Sequence, residues 1–364
     1  MPTLFDPLSL GALRAANRIV MAPLTRARST REHVPTPIMA EYYAQRASAG
    51  LIIGEATGIS RQAVGWPYAP GLWSDQQVQA WKPVTRAVHE KGGLIIAQLW
   101  HMGRMAHSAV TGSHPVSSSA TAMPGEAHTY DGKKPFEVAK PLAVEDIPAL
   151  ISDYVTAARN AIAAGFDGVQ IHAANGQLID QFLRDLTNRR TDEYGGSVTN
   201  RIRLLEQVTR AVAEAVGADR TAVRLSPNGE SYGVDDSDPA PLFSAAARML
   251  NDIGIAFLEL REPGPDGTFG ATDVPRLSPL IREYFKGPIL LNSDYDRVRA
   301  EADLDSGLAD AISFGRPFLA NPDLVERLKT GAPLNKDHMD TYYSQDAEGY
   351  TDYPTLTGHP AALA

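Results

Sequence analysis

The sequence predicts an α/β fold, a (β/α)8 TIM barrel in which eight parallel strands alternate with helices. Short apolar runs rich in β-branched residues recur roughly every 35–50 residues, and each precedes a stretch with helical periodicity. The runs are continuous rather than alternating, as expected for strands covered on both faces. None is followed by Gly-x-Gly-x-x-Gly, the fingerprint of an open dinucleotide-binding sheet. A closed barrel is therefore favoured over a doubly wound sheet.

Eight strand candidates follow one another along the chain, the number that closes such a barrel. They are Arg18–Thr25, Leu51–Glu55, Gly93–Trp100, Gly168–His172, Ala222–Leu225, Ala256–Leu260, Pro288–Asn292 and Ala311–Gly315. Capping signals predict helices between them. The clearest are the helix that begins after Ser74 and runs to His89, the helix from about Glu145 to Ala164, and Leu324–Thr330 ended by Gly331.

We expect residues 1–364 to form a single domain. A segment of 101–144 after the third strand is too long for a plain connector and is rich in Pro, Gly and Ser. Such a loop is usually a lid or a binding wall, although a solvated insertion is the alternative. Residues 332–364 form a C-terminal tail.

Composition excludes several classes of function. The chain contains no cysteine, which excludes disulfides, iron–sulfur clusters and thiolate nucleophiles. A formal net charge of −9, with no basic run longer than two residues, makes a nucleic-acid partner unlikely. No apolar run is long enough to span a membrane, and the first residues do not resemble a signal peptide. We expect a cytoplasmic protein.

A TIM barrel places its reactive groups at the carboxyl ends of its strands. No lysine lies at these ends, which disfavours Schiff-base chemistry, and no Gly-x-Ser-x-Gly elbow is present. His101, His107 and His114 lie in a loop and are interpreted as structural or surface residues, so no metal site is predicted.

Amides and arginines remain at the strand ends. Gln98, Asn175 and Arg224 suit a flat polar heterocycle, whereas Gly315-Arg316 and Asn292-Ser293-Asp294 follow the strands after which barrels commonly bind phosphate. A plain turn with a solvated arginine is the alternative at that phosphate position.

Several longer motifs follow one another along the chain. The main ones are Asn17–Arg26 (NRIVMAPLTR), Gln98–Arg104 (QLWHMGR), Gly165–Gly176 (GFDGVQIHAANG), Val223–Pro227 (VRLSP), Phe314–Pro317 (FGRP) and Gly349–Pro354 (GYTDYP). In this order they resemble the old yellow enzyme family of FMN-dependent ene-reductases, most closely its bacterial branch of N-ethylmaleimide and nitrate-ester reductases. The resemblance covers essentially the whole chain.

The resemblance implies an FMN cofactor, with NAD(P)H as the electron donor. It places the backbone at Ala22, Pro23 and Leu24 against the flavin, Thr25 near O4, and Gln98 and Arg224 on the pyrimidine edge. An ion pair with Glu55 or another acid is the alternative role for Arg224. The full set of implied FMN contacts is Ala22, Pro23, Leu24, Thr25, Ala56, Gln98, His172, Arg224, Asn292, Ser293, Asp294, Phe314, Gly315 and Arg316.

The resemblance also implies the catalytic residues. His172 and Asn175 match the pair that binds the substrate's carbonyl or nitro oxygen and polarises the conjugated C=C bond. A structural histidine is the alternative for His172. The residues implied to line the substrate pocket, where core packing is the alternative, are Trp66, Tyr68, Trp100, Phe269 and Tyr343.

One position departs from the family pattern. The family has a proton-donating tyrosine two residues after the Asn, and here that position is Gln177, which has no titratable proton. Solvent or Tyr343 then supplies the proton, or the substrates need no acid. A third possibility is that the site is altered, by evolution or engineering, toward radical chemistry in which the flavin delivers a hydrogen atom.

The predicted function is an NAD(P)H-dependent ene-reductase acting on small activated alkenes: α,β-unsaturated carbonyl compounds, maleimides and nitro compounds. The alternative suggested by Gln177 is an FMN-binding electron-transfer flavoprotein that reduces alkenes weakly. A cofactor-free barrel isomerase or lyase is a third reading. We expect a monomer or homodimer.

Overall fold

The computed structural model describes residues 2–358, and its centre is a closed barrel of eight parallel strands. This confirms the predicted TIM barrel. The strands are β1 Ile19–Met21, β2 Leu51–Gly58, β3 Ile95–Trp100, β4 Val169–His172, β5 Thr221–Leu225, β6 Phe257–Arg261, β7 Ile289–Asn292 and β8 Ala311–Phe314.

Each barrel strand pairs in parallel with the next one along the chain, and β8 pairs with β1. Six strands differ from their predicted bounds by only one or two residues at an end, whereas β1 and β2 differ by three or more at their carboxyl ends. β1 ends at Met21 instead of Thr25, because Pro23 offers no N–H to a ladder. β2 continues to Gly58, because a register shift between Ile53 and Ala56 lets it keep pairing with β3.

Within residues 2–358, eight α-helices of seven or more residues cover the outside of the barrel. They are α1 Pro37–Gln45, α2 Asp75–Glu90, α3 Ile147–Ala163, α4 Arg203–Val216, α5 Pro239–Ile253, α6 Ser278–Tyr284, α7 Arg297–Asp305 and α8 Leu324–Thr330. The short α-helices are Ser108–Thr111, Leu178–Leu183, Val198–Arg201 and Arg316–Ala320, and the 3-10 turns are Gly103–Met105, Val144–Asp146, Ala218–Arg220 and Met339–Thr341.

The predicted helix ends follow from capping. Ser74 and Gln77 form a capping box at the start of α2. Gly331 ends α8 with a left-handed φ of 70°, which confirms the predicted bounds of that helix. The helix predicted from about Glu145 begins as a 3-10 turn and becomes α3 at Ile147.

The lower half of the barrel is filled with apolar side chains. They come from seven of the strands and from an N-terminal hairpin, Leu8–Leu10 with Leu13–Ala15. These buried residues include Val20, Leu51, Ile53, Ile96, Phe257 and Leu290. A sealed lower half leaves the carboxyl ends of the strands as the open side of the barrel.

The segment 101–144 has structure of its own and packs against the open side. It contains the hairpin Glu126–Thr129 with Gly132–Pro135 and the two-residue pair Val116–Ser117 with Lys140–Pro141. The His128 ring of the hairpin lies 4.6 Å from that of Trp66, centroid to centroid. The segment therefore reaches the residues that surround the mouth of the barrel.

The C-terminal tail folds back across the mouth and is held by two buried arginines. Arg26 donates to the carbonyl oxygens of Tyr342 (3.2 Å) and Gly349 (2.6 Å), and Arg28 donates to the Tyr342 carbonyl oxygen at 2.9 Å. These bonds fix Tyr342 and its neighbour Tyr343 beside the open side of the barrel.

Across residues 2–358, the structure contains no helix that is long and apolar enough to cross a membrane.

Candidate active site

A cavity of about 650 Å³ lies at the carboxyl ends of the barrel strands. Every site residue predicted from the sequence lines it, with the exception of Tyr68. The Tyr68 ring instead packs edge-on against Tyr130, with 5.2 Å between centroids, and its backbone has a left-handed φ of 60°. In this structure the Tyr68 ring thus contacts the segment 101–144 and is not among the residues that line the cavity, and its role in substrate binding stays a prediction.

His172 ends β4 and is almost completely buried. Burial, together with the nearby guanidinium groups of Arg224 and Arg261, lowers the pKa of His172 to about 3. The imidazole is therefore neutral at physiological pH and carries a single N–H donor. Its buried Nδ1 has no hydrogen-bond partner within residues 2–358.

Asn175 follows three residues later, in a left-handed turn with φ of 56°. Its backbone N–H donates to Ser226 Oγ at 2.7 Å, and its Oδ1 accepts from Arg261 Nη1 at 3.3 Å. Because a cation occupies the oxygen side of the amide, the Nδ2 group remains available as a donor. His172 and Asn175 thus provide two neutral donors to the same cavity.

Gln177 occupies the N-cap position of the short helix Leu178–Leu183, without a capping bond from its side chain, and lines the cavity. Its Oε1 accepts a hydrogen bond of 2.9 Å from the indole Nε1 of Trp100. Both side chains are buried, so this bond satisfies a donor that would otherwise lack a partner.

Arg224 lies on β5 with its side chain inside the barrel. Its Nη1 forms an ion pair of 2.6 Å with Glu259, and its Nη2 donates to Asn292 Oδ1 at 2.8 Å. The acid that pairs with it is thus Glu259 and not Glu55. Its buried Nε has no partner within the described residues.

At the other end of the cavity, residues after β7 and β8 meet. Ser293 and Asp294 both have positive φ values, 120° and 48°, so the chain turns sharply here at two residues that are not glycine. Arg316 donates to the Asp294 carboxylate and to Thr268 Oγ1, the latter at 2.7 Å. Asp294 therefore positions Arg316, since a carboxylate cannot itself donate to a phosphate.

Sequence reasoning left several cavity residues unassigned. No sequence pattern assigned a role to Arg261, Met102, Tyr232 or Tyr342, which also line the cavity. Arg261 donates to Asn175 Oδ1 and to the carbonyl oxygen of Phe269 (2.5 Å), so it connects the end of β6 to Asn175 and to the loop that contains Phe269.

The loop histidines have structural partners, as predicted. His101 Nδ1 accepts from the Gly103 N–H at 3.0 Å, His107 Nδ1 caps the helix Ser108–Thr111, and His114 Nε2 lies 2.8 Å from the Val138 carbonyl oxygen. In the part of the chain that the structure describes, no cluster of three or more His, Cys, Asp or Glu is arranged to hold a metal.

Glu55 is a fully buried carboxyl group beneath the mouth of the barrel. It accepts from the Arg26 backbone N–H and from the Tyr43 hydroxyl, each at 3.2 Å. Burial raises the pKa of Glu55 to about 7, although both of these donors act to lower it.

A raised carboxyl pKa in the folded state makes folding less favourable as the pH rises from the ordinary value of 4.5 to about 7, because the unfolded chain loses its proton first. The free energy of unfolding of Glu55→Gln, minus that of the parent, is therefore expected to increase by up to about 3 kcal/mol between about pH 5 and about pH 8. Urea unfolding at both pH values measures this. An equal stability difference at both pH values would contradict the assignment.

The residues of the cavity fit FMN. Its volume lies in the range of sites that enclose an organic cofactor. The buried Nδ1 of His172 and Nε of Arg224 are polar atoms without protein partners at one end, and the positive-φ turn with Arg316 suits a phosphate at the other. Gln98, Arg224 and His172 would hold the heterocycle, and residues 293–294 with Arg316 would hold the phosphate. Asn292 would lie beside the heterocycle, because its side-chain amide is bonded to Arg224 and to the Ser313 carbonyl oxygen.

Comparison with known proteins agrees with this geometry. The model of the NADH:flavin oxidoreductase / NADH oxidase family matches residues 3–335. The chain is 46% identical to a chanoclavine-I aldehyde reductase of Penicillium roqueforti, over 97% of this chain and 96% of that protein.

Two solved structures share the fold over nearly their whole length. An old yellow enzyme homologue of Zymomonas mobilis is 64% identical, with a TM-score of 0.97 over 98% of this chain and 100% of its own. Morphinone reductase in complex with tetrahydroNAD is 45% identical, with a TM-score of 0.92 over 100% of both chains. The chain belongs to the old yellow enzyme family, and it is a flavin oxidoreductase that uses FMN as its cofactor and a nicotinamide as its electron donor.

Proposed function

We propose that this protein is an ene-reductase for small activated alkenes: α,β-unsaturated carbonyl compounds, maleimides and nitroalkenes. FMN held by Gln98, Arg224 and Arg316 would supply hydride chemistry, in which NAD(P)H is oxidised and the β carbon of the alkene receives the hydride. The observation that carries the proposal is the pair His172 and Asn175, two neutral donors held in one cavity.

The two donors define the chemistry. When hydride reaches the β carbon, negative charge develops on the activating oxygen, and preorganised donors stabilise that charge. His172 is neutral by burial, so it binds an uncharged oxygen without repelling the neighbouring arginines. Arg261 holds Asn175 Oδ1 and so presents Nδ2 to the same substrate atom.

Aromatic side chains surround the substrate side of the cavity. Trp66 and Tyr343 lie 4.8 Å apart between ring centroids, and Trp100 is fixed by its bond to Gln177. Flat apolar walls favour planar conjugated molecules over bulky ones. We therefore propose cyclic enones and maleimides as the preferred substrates.

Four aromatic residues keep the substrate-binding roles implied by the family resemblance as parts of this proposal: Trp66, Trp100, Phe269 and Tyr343. The Gln at position 177 stands where the resemblance implies a proton-donating tyrosine. In the proposed reaction the α-carbon proton then comes from solvent or from Tyr343, whose side chain is about half exposed beside the cavity. The expectation of a cytoplasmic monomer or homodimer stays a prediction.

Absorption spectra of the purified protein test the proposal. We expect the visible band of bound oxidised flavin, its loss after anaerobic NADPH addition, and its return on adding a cyclic enone or N-substituted maleimide. Reduced protein that is reoxidised by a one-electron dye but by no activated alkene would favour the electron-transfer alternative. Protein that binds no FMN would contradict both.

A further inference from the structure

The barrel interior contains a buried acid directly below the cavity. Glu259 lies in the middle of β6, its side chain has no solvent exposure, and its register partner on β5 is Arg224. Because adjacent strands present partners in register on the same side, both side chains point into the barrel. Glu259 itself does not line the cavity, whereas Arg224 does.

The carboxylate of Glu259 accepts hydrogen bonds from three side chains. Arg224 Nη1 and Ser313 Oγ donate to its Oε1 at 2.6 and 2.5 Å, and Gln170 Nε2 donates to its Oε2 at 2.8 Å. The charged partner among these three is a guanidinium, and an ion pair with a guanidinium favours the carboxylate form of an acid. The negative member of a buried ion pair thus lies behind the part of Arg224 that reaches the cavity.

The same acid sets the direction of two amides. Because Glu259 only accepts, Gln170 must turn its NH₂ group toward it, and Gln170 Oε1 then accepts from Gln98 Nε2 at 2.8 Å. The Oε1 atom of Gln98 accepts no hydrogen bond from residues 2–358. It is therefore the atom of this amide that can accept a hydrogen bond from a ligand in the cavity. Glu259 thereby orients both Arg224 and Gln98, the two groups proposed to hold the pyrimidine edge of FMN.

We propose that Glu259 is a positioning residue whose charge also makes the bound flavin harder to reduce. Reduction places negative charge on the pyrimidine edge, which a guanidinium stabilises. A carboxylate paired with that guanidinium cancels part of the stabilisation, so the reduced flavin is the stronger hydride donor. The inference rests on the proposed placement of the pyrimidine edge against Arg224.

Glu259→Gln tests the inference in the FMN-bound protein, since glutamine keeps the size and an acceptor for Arg224 but removes the charge. We expect the equilibrium constant for two-electron reduction, measured anaerobically against a reference dye, to rise about tenfold, equivalent to about 30 mV. The matched control is Glu262→Gln. That buried carboxylate near the end of β6 accepts from the N–H groups of Leu277 and Ser278 and lies outside the cavity lining, so we expect an unchanged potential.

The variant Arg224→Gln distinguishes an error in the role of Glu259 from an error in the placement of the flavin. If it makes the flavin harder to reduce while Glu259→Gln changes nothing, the role of Glu259 is wrong and the flavin placement stands. If neither variant alters the potential or the FMN dissociation constant, the placement itself is wrong.

A protein that loses FMN after Glu259→Gln still permits the test, because replacing both members of a buried ion pair avoids leaving one charge alone. The double variant Arg224→Gln/Glu259→Gln is expected to be about tenfold easier to reduce than Arg224→Gln. Equal potentials for these two variants would overturn the inference.

Discussion

Replacing His172 by alanine is expected to lower kcat/KM for a cyclic enone by about 10²–10³-fold, the loss typical of removing one donor from an oxyanion hole. His172 is buried at the end of β4 and neutral, so its contribution is a directed N–H rather than a charge. Steady-state assays, with FMN occupancy checked by absorbance, measure the effect.

The pH profile and a conservative variant test the same role. Since burial holds the pKa of His172 near 3, we expect no inflection in kcat/KM from this group in the neutral range. His172→Asn keeps a donor and should lose less activity than alanine. Activity equal to the parent in His172→Ala would contradict a role in substrate binding.

Asn175 supplies an independent check, because its orientation depends on Arg261. Asn175→Asp places a carboxylate beside that guanidinium and turns a donor toward the substrate into an acceptor. We therefore expect Asn175→Asp to lose more activity than Asn175→Ala. Because His172 and Asn175 act on one oxygen, the double variant should lose less than the product of the two single losses.

The sequence was sufficient for the barrel and for most of the cavity. Apolar runs located all eight strands, and Gly331 located the end of α8, because these signals act within a few residues. Gln98, His172 and Arg224 lie toward the carboxyl ends of β3, β4 and β5. These ends converge in any TIM barrel, so the order of the strands was enough to predict that the three side chains share one cavity.

Contacts between residues that are far apart in the sequence could not be predicted from these local signals. Arg26 belongs to a charged residue type that is usually exposed, yet it is fully buried because carbonyl oxygens more than 300 positions later accept its hydrogen bonds. The pairing of Arg224 with Glu259 requires the register of β5 against β6, which apolar periodicity leaves open. The contact of the Tyr68 ring with Tyr130 likewise joins residues 62 positions apart, so no local pattern indicates it.

Gln177→Tyr is expected to raise the rate at which an enone reoxidises the reduced protein by about 10²-fold, the low end of what a positioned general acid contributes. Glutamine cannot release a proton at neutral pH, whereas a phenol can donate to the α carbon and exchange with water afterwards. Gln177 already lines the cavity, so the new hydroxyl would lie on the substrate side. Stopped-flow absorbance of the anaerobically reduced protein measures this rate.

Gln177→Phe is the matched control, since it adds the same ring without the acid. A tyrosine hydroxyl can still accept the Trp100 indole N–H that Gln177 Oε1 binds at 2.9 Å, whereas phenylalanine leaves that buried donor without a partner, at a cost of about 1–3 kcal/mol in stability. We therefore expect Gln177→Phe to be less stable and no faster than the parent. Equal acceleration by Phe and Tyr would mean that ring packing limits the reaction and that the proton reaches the substrate by another route.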